Sequence, residues 1–274
     1  MVQPPTIAPA IGASSRRTAW QVQRAVLFAM LLREMKARVG GQWVGAVWTL
    51  FEPLSHVLIV VTLFAYVRGR VMVGIEFPVF LVTGMLPYFL YQNLSQRLPE
   101  AIAANKGLFS YRQVKPMDAL LSRAGVEGLM NLLVYIFTLG LLGRIGYEVM
   151  PSDLLEVIAV NALLLLLGLS MGILYAVITH ERPRLRSFVR MTSMPLYLAS
   201  GIIFPIDRVD REHMAFLLWN PLLHLIELSR HAFIPAYVPA HGVNATYPIL
   251  FTLSALALAL LLYRKDRLRL VTIS

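Results

Sequence analysis

Long apolar segments separated by short polar ones make up most of this chain of 274 residues. A helix needs about 20 mostly apolar residues to cross the hydrocarbon core of a bilayer. Six segments approach or exceed that length, so the pattern predicts an all-α polytopic membrane protein with six transmembrane helices. The predicted spans cover approximately residues 43–67, 77–96, 117–143, 155–179, 188–206 and 246–263.

The chain before the first span differs from the rest in composition. Residues 1–17 are rich in Pro, Ala and Ser, and we predict a disordered N-terminus there, with no assigned role. Residues 18–41 mix apolar and basic residues, carry Trp20 near their start and end in two glycines. They predict an amphipathic interface helix on the inner membrane surface that does not cross. The transmembrane domain then covers residues 42–274.

A polar island, Arg97–Asp118, separates the second span from the third. It opens with helix-forming residues and is interrupted by Gly107, which predicts a short amphipathic helix at about residues 99–110. This cytoplasmic helix has two interpretations: it lies in lipid head groups, or it inserts into a groove on a cytosolic partner as a coupling helix. Its aromatic centre and polar rim favour the second.

The distribution of basic residues predicts the orientation. Most of the 25 Lys and Arg residues fall in the N-terminal segment, in the polar island, after the fourth span and at the C-terminus. The positive-inside rule therefore places both termini in the cytoplasm, which requires an even number of crossings. The apolar stretch 212–228 would make a seventh. We predict instead that residues 205–235 form re-entrant external helices before the last span.

Composition excludes several classes of function. The chain is 57% hydrophobic and only 15% charged, whereas about a quarter of a soluble domain is charged. Its net charge of +10 follows membrane topology, so we predict no nucleic-acid partner. The chain has no cysteine, its six histidines lack metal-ligand spacing, and none of its lysines follows a glycine as in a phosphate loop. We predict no cofactor, metal or catalytic residue, and any ATPase must be a separate protein.

Three acidic residues in or near the spans need explanation, since a charge inside a bilayer costs roughly 3 kcal/mol. Glu52 either orients its helix near the interface or lines a cavity. Glu127 is spaced to pair with Arg123 at i, i+4. Glu227 either acts in a gate or pairs structurally with neighbours such as Arg230. The three form no evident relay, so the pattern does not favour proton coupling.

Small and aromatic residues in the spans also allow two interpretations. Gly168 and Gly172 are spaced for close helix packing. The tyrosines of the spans either pack in the core and at the interfaces or line a path for sugars.

Several strings, in order along the chain, resemble the permeases of ABC-type polysaccharide exporters, and most closely the branch that exports group 2 capsules. They are VGAVW at 44–48, EPL at 52–54 with His56, TGMLPY at 83–88, LFSYRQVKPMD at 108–118, SGIIFP at 200–205 and WNPLLHLIE at 219–227. The likeness runs from about Arg33 to the C-terminus.

The resemblance implies a type-2 ABC exporter in which two copies of this permease form a channel above two cytosolic ATP-binding cassette subunits. ATP and Mg would be bound by that partner ATPase. The cargo implied is a lipid-linked acidic capsular polysaccharide. Further partners implied are a periplasmic adaptor or polysaccharide co-polymerase and an outer-membrane export channel. The location implied is the bacterial inner membrane.

The candidate residues fall into three groups. Those for ATPase coupling are Glu100, Ala104, Asn105, Lys106, Leu108 and Phe109. Those for a channel or gate are Trp48, Phe51, Glu52, Tyr88, Tyr91, Tyr135, Tyr197, Phe204, Trp219, His224 and Glu227. Those for attracting an anionic substrate are Arg112, Arg123, Arg184 and Arg186.

Other functions remain open at the level of the sequence. Within the same class, the cargo could be O-antigen or a teichoic-acid-like glycan. From other classes, the chain could be an ion-coupled secondary transporter or a membrane-embedded glycan-modifying enzyme, although no acid–base pair supports the enzyme.

Overall fold

The computed structural model describes residues 18–39, 51, 54–55, 57–63, 75–180, 182, 184–206 and 209–271. These residues are mostly helical, which confirms the all-α class. Besides a helical stretch at 57–63, the elements are α1 (Ala19–Val39), α2 (Phe77–Ala104), a 3-10 helix (Lys106–Ser110), α3 (Pro116–Ile145), α4 (Leu154–His180), α5 (Arg184–Met191), α6 (Ser193–Ala199), α7 (Arg211–Leu217), α8 (Pro221–Phe233) and α9 (Thr246–Asp266).

Three helices in this described part are long and apolar enough to cross a membrane, namely α3, α4 and α9. Their ends lie within a few residues of the predicted third, fourth and sixth spans. These helices agree with a polytopic membrane protein, while the count of six crossings stays a prediction. Residues 1–17 and most of the first span, including Trp48 and Glu52, lie outside the described residues.

Helix α2 is the centre of the bundle. Almost every residue of its first half is buried, and it packs along both α3 and α4. Its closest approach is to Gly168 and Gly172 of α4, as their spacing predicts. A Cβ atom on Gly172 would lie 2.8 Å from the carbonyl oxygen of Leu94 on α2. The absence of a side chain on these glycines therefore allows the two backbones to come this close.

Helix α1 crosses α3 obliquely. Gln23 donates to the Asp118 carboxylate at 2.5 Å, and Arg38 pairs with Glu127. Gln23 and Arg38 are about 22 Å apart along α1, whereas Asp118 and Glu127 are only about 14 Å apart along α3. Both ends of α1 therefore contact α3, the N-terminal part at the start of α3 and the C-terminal part further along it. The position of α1 on the membrane surface stays a prediction.

The structure divides the predicted fifth span, 188–206, into α5 and α6 instead of one helix. The break falls at Thr192. Pro195, which has no backbone N–H, then lies in the first turn of α6, where an N–H would have no partner within the helix. The chain leaves the helix at Ala199 and turns at Gly201, whose φ is +67°.

The predicted coupling helix, 99–110, is likewise not one helix. Helix α2 continues through Pro99 to Ala104, and Asn105 separates it from the 3-10 helix. The Asn105 side-chain amide donates to the Ala101 carbonyl at 2.8 Å, so it satisfies a carbonyl that the broken helix leaves free.

Helices α7 and α8 lie in the region 205–235, where the sequence predicts re-entrant external helices. Their external, re-entrant placement stays a prediction. Helix α8 has 13 residues, about 20 Å, which is too short to cross a bilayer. It begins at Pro221, where the Asn220 side chain accepts from the Leu222 N–H at 3.1 Å, and most of its residues are buried against α2 and α4.

Candidate functional site

A network of ion pairs surrounds the C-terminal half of α2 and joins it to three other helices. We call it the ion-pair network. Its members are Glu34, Arg38, Arg97, Glu100, Arg123, Glu127 and Arg190. Since its pairs connect α1, α2, α3 and α5, the network fixes the relative positions of these four helices.

The inner part of the network is centred on Glu127 of α3, whose side chain is only 2% exposed. Arg38 of α1 pairs with it, and Arg97 of α2 lies 3.5 Å from the same oxygen. A buried carboxylate is strongly unfavourable unless it is paired, so both arginines stabilise this packing. The expected pairing of Arg123 with Glu127 is wrong, because Arg123 turns to Glu34 on α1 at 2.5 Å.

The outer part of the network is half-exposed. Arg190 of α5 pairs with Glu100 of α2 at 2.6 Å, and Arg123 lies 3.9 Å from that glutamate. Next to them is a half-open cavity of about 370 Å³. It is lined by Glu34, Ala37, Arg38, Gln96, Arg97, Glu100, Arg123 and Arg190. A polar cavity with this excess of arginines suits an anionic group.

The predicted coupling residues divide into accessible and buried ones. Accessible or half-buried are Glu100, Ala104, Lys106 and Leu108. Asn105 and Phe109 are buried, and the Asn105 oxygen accepts from Arg33 of α1 at 3.0 Å. The buried pair therefore shapes the turn, while the accessible residues and the exposed Gly107 form its surface.

The substrate-charge candidates are spread along this end of the bundle. Arg123 belongs to the ion-pair network, and half-buried Arg186 lines a second small cavity beside Glu100 and Arg190. Arg112 and Arg184 are exposed. The structure therefore brings Arg123 and Arg186 close to Glu100, and it leaves the other two on the surface.

A buried ion pair lies at the opposite end of α2. Arg230 of α8 is 0% exposed and lies 3.3 Å from the Glu227 carboxylate. Arg230 also donates to the Ile202 carbonyl at 2.8 Å, and its guanidinium lies 3.7 Å from the centre of the Phe80 ring. We call this the Arg230–Glu227 pair.

Glu227 is held from the other side by the chain after α8. The Tyr237 hydroxyl donates to it at 2.7 Å and the Ala240 N–H at 3.1 Å. Burial raises the pKa of the Tyr237 phenol, so this group is a neutral donor. Together these bonds satisfy a charge that is removed from solvent.

Gly84 of α2 gives the Arg230 guanidinium its space. A Cβ atom there would lie 2.6 Å from Nη2 of Arg230. The Ser229 hydroxyl also donates to the Thr83 carbonyl at 3.1 Å. Helix α8 is thus hydrogen-bonded to the N-terminal half of α2. The close approach of Arg230 leaves no room for a larger residue at position 84.

Sequence reasoning missed Gly84 and the central role of Arg230. The i, i+3 spacing of Glu227 and Arg230 was the available signal for the pair. The pairing of Glu227 with Arg230 is therefore present in the structure, while a role of Glu227 in a gate stays a prediction.

The four tyrosines among the channel candidates are buried or half-buried within the chain. Tyr88, Tyr91 and Tyr135 are buried. The Tyr88 hydroxyl donates to the Ser193 carbonyl at 2.7 Å, and its ring meets that of half-buried Tyr197 edge-on at 5.1 Å. These rings therefore join α2 to α6.

The remaining channel and gate candidates differ in exposure. Phe51 and Trp219 are exposed, Trp219 by 80%, and Phe204 is half-buried. His224 is buried: its Nδ1 accepts from the Asn244 N–H at 3.1 Å, so Nε2 carries the proton donated to the Leu218 carbonyl at 2.9 Å. That histidine positions the chain on both sides of α8.

Apolar helices long enough to cross a bilayer, bound together by polar clusters at both ends of a central helix, define a helical membrane protein. The particular family follows from comparison of sequences. The pattern of the ABC-2 type transporter family matches residues 25–234, and this chain belongs to that family.

Curated relatives extend the match over nearly the whole chain. The polysialic acid transport protein KpsM of Escherichia coli is 37% identical over 248 residues, which cover 90% of this chain and 96% of KpsM. The capsule polysaccharide export inner-membrane protein CtrC of Neisseria meningitidis is 25% identical, covering 89% of this chain and 92% of CtrC. BexB of Haemophilus influenzae, of the same description, is 24% identical, covering 77% and 80%.

These findings confirm the resemblance to polysaccharide-export permeases. Membership of the family also confirms that the chain is a permease subunit of an ABC transporter whose ATPase is a separate subunit.

Proposed function

We propose that this chain is the inner-membrane permease of an ATP-driven exporter that moves a lipid-linked acidic capsular polysaccharide out of the cytoplasm. The observation that carries this proposal is the 37% identity to KpsM over almost the full length of both chains. The two other relatives, which are named for capsule polysaccharide export, support the same cargo class.

The proposed transporter contains two copies of this chain and two cytosolic ATPase subunits, which bind the ATP and Mg. The turn around Gly107, with Ala104, Lys106 and Leu108, is the proposed docking surface. Its support is that these residues are accessible, while buried Asn105 and Phe109 hold the turn in shape. In this arrangement the termini, the ion-pair network and the docking surface face the cytoplasm.

Helix α2 is the proposed mechanical link between the ATPase and the outer end of the permease. Its 28 residues extend about 42 Å. The docking surface follows its C-terminus, and the Arg230–Glu227 pair holds α8 to its N-terminal half. A push on the docking surface would therefore move α8 together with α2.

The arginine-lined cavity is the proposed first contact for the negatively charged end of the cargo. Arg123 and Arg190 line it, and Arg186 lies nearby in the second cavity. Exposed Phe51 and Trp219 are proposed to face the second copy or the channel. Beyond the membrane, a periplasmic adaptor or co-polymerase and an outer-membrane channel would receive the glycan.

The docking surface can be tested with a matched pair of substitutions. A Cβ atom on Gly107 or on Gly140 of α3 would meet nothing within 4 Å, and both residues are exposed, so a side chain at either position begins in open space. We expect Gly107→Trp to abolish capsule export and ATPase co-purification, because the indole would occupy the contact surface. Gly140→Trp, far along α3, should leave both unchanged.

Affinity purification in mild detergent, with mass spectrometry of co-eluting proteins, would measure the association. Normal export and normal ATPase recovery with Gly107→Trp would contradict the docking surface. Export that stops when the proton gradient is dissipated at constant ATP would instead support an ion-coupled secondary transporter.

A further inference from the structure

An apolar groove runs between α1 and the start of α3, away from the ion-pair network. It is open along one side and has a volume of about 730 Å³. Its lining is Trp20, Gln21, Arg24, Ala25, Leu27, Phe28, Leu31, Leu121 and Ser122. The wall is mostly hydrocarbon, and Arg24 is its only charged lining residue.

The groove has a charged end and an apolar end. Gln23 bonds Asp118 in the first turn of α3, so neighbouring Arg24 lies level with the beginning of that helix. Leu31 lies two turns further along α1. Its Cδ1 atom would be 3.4 Å from a Cβ atom added at Gly125 of α3. The groove therefore passes from a cation near the start of α3 to a purely apolar end deeper in the bundle.

Arg24 is exposed, and it has no hydrogen-bond or ion-pair partner among the residues that the structure describes. Two other cations of α1 have partners: Arg33 bonds Asn105, and Arg38 pairs with Glu127. Lys36 is exposed like Arg24, but it does not line the groove. An unpaired cation at the rim of an apolar groove complements a ligand with an anionic head and an apolar tail.

The apolar end of the groove continues along α3. Leu121, Leu129, Leu132 and Ile136 are exposed and recur at spacings of three, four or eight residues, so they form one stripe on the helix. This stripe is the kind of surface that faces lipid chains. A ligand held at Arg24 can extend its chains through the groove and onto the stripe without leaving apolar surroundings.

We propose that the α1–α3 groove binds one anionic phospholipid of the adjacent leaflet, with its phosphate on Arg24 and an acyl chain between Phe28, Leu31 and Leu121. The bound lipid joins the interface helix to α3. This site is independent of the cargo and of ATP.

The test uses the full chain, purified in mild detergent, stripped of lipid and titrated with phosphatidylglycerol or phosphatidylcholine. Native mass spectrometry counts the bound lipids. We expect one phosphatidylglycerol to bind more tightly than phosphatidylcholine. Arg24→Gln should weaken phosphatidylglycerol about fivefold, the effect of one basic side chain beside an anionic head group. Leu121→Trp, which fills the groove, should remove the tight site for both lipids.

Two matched variants separate this site from general lipid contact. Lys36→Gln removes another exposed cation of α1, and Leu132→Trp enlarges the lipid-facing stripe beyond the groove. Both should bind phosphatidylglycerol like the natural chain. Equal losses in Arg24→Gln and Lys36→Gln, or a tight site retained in Leu121→Trp, would overturn the proposal. So would a glycan-bearing lipid, or a second copy of the chain, as the occupant that Leu121→Trp displaces.

Discussion

Replacing Arg230 with Met should lower the free energy of unfolding by about 3–5 kcal/mol, which is the usual loss when one partner of a buried ion pair is removed. Glu227 would be left without its arginine partner in a site that solvent does not reach. Tyr237 and Ala240 would still donate to it, but the Ile202 carbonyl would lose the hydrogen bond from Arg230. Denaturant titration of the purified chain in detergent would measure the loss.

A double substitution tests the cause of that loss. Adding Glu227→Gln to Arg230→Met removes the unpaired charge while keeping an acceptor for Tyr237, so a large part of the stability should return. Arg269→Met is the control, because its pair with Asp266 is largely exposed and such pairs contribute little. If Arg230→Met changed stability no more than Arg269→Met, the Arg230–Glu227 pair would not be what holds α8 to α2.

Replacing Gly172 with Ala is expected to destabilise the bundle by about 1–3 kcal/mol, the range for overpacking a tight contact. The added Cβ atom would lie 2.8 Å from a backbone oxygen of Leu94 and 2.9 Å from a side-chain carbon of Leu98. A backbone oxygen cannot rotate aside, so α2 and α4 would have to separate. Because α2 is the central helix, the effect should extend to the ion-pair network.

The matched control is Gly140→Ala on α3, where the new Cβ atom would meet nothing within 4 Å. Since Ala is the better helix former by up to about 1 kcal/mol, this change should be neutral or slightly stabilising. Thermal unfolding of the two variants in the same detergent would compare them. Equal melting temperatures would show that the α2–α4 contact tolerates a methyl group.

The length of the apolar segments was the basis for most of the fold that could be predicted. Helices α4 and α9 begin and end within a few residues of their predicted spans, because an unbroken apolar run specifies one helix and little else. The division between α5 and α6 was harder to place. Pro195 signalled an irregularity, but the position of the break depends on which residue begins the next helix.

Long-range pairing could not be predicted. Arg123 and Glu127 have the spacing of a local pair, yet each finds its partner on another helix. Local spacing specifies which side chains can reach one another, while the choice among several acids depends on how α1 crosses α3. Gly84 was equally hidden, since its importance comes from a guanidinium 146 positions later in the chain.

The hydrogen bond between Arg33 and Asn105 ties α1 to the turn that closes α2. A protein that binds this turn and shifts Asn105 has to strain or break that bond. Any interaction that holds α1 in place must therefore change the affinity of that protein for the turn. By thermodynamic reciprocity, binding at the turn alters the hold on α1 by the same free energy. In that way, the membrane surrounding the permease would change the affinity of the partner ATPase for this turn.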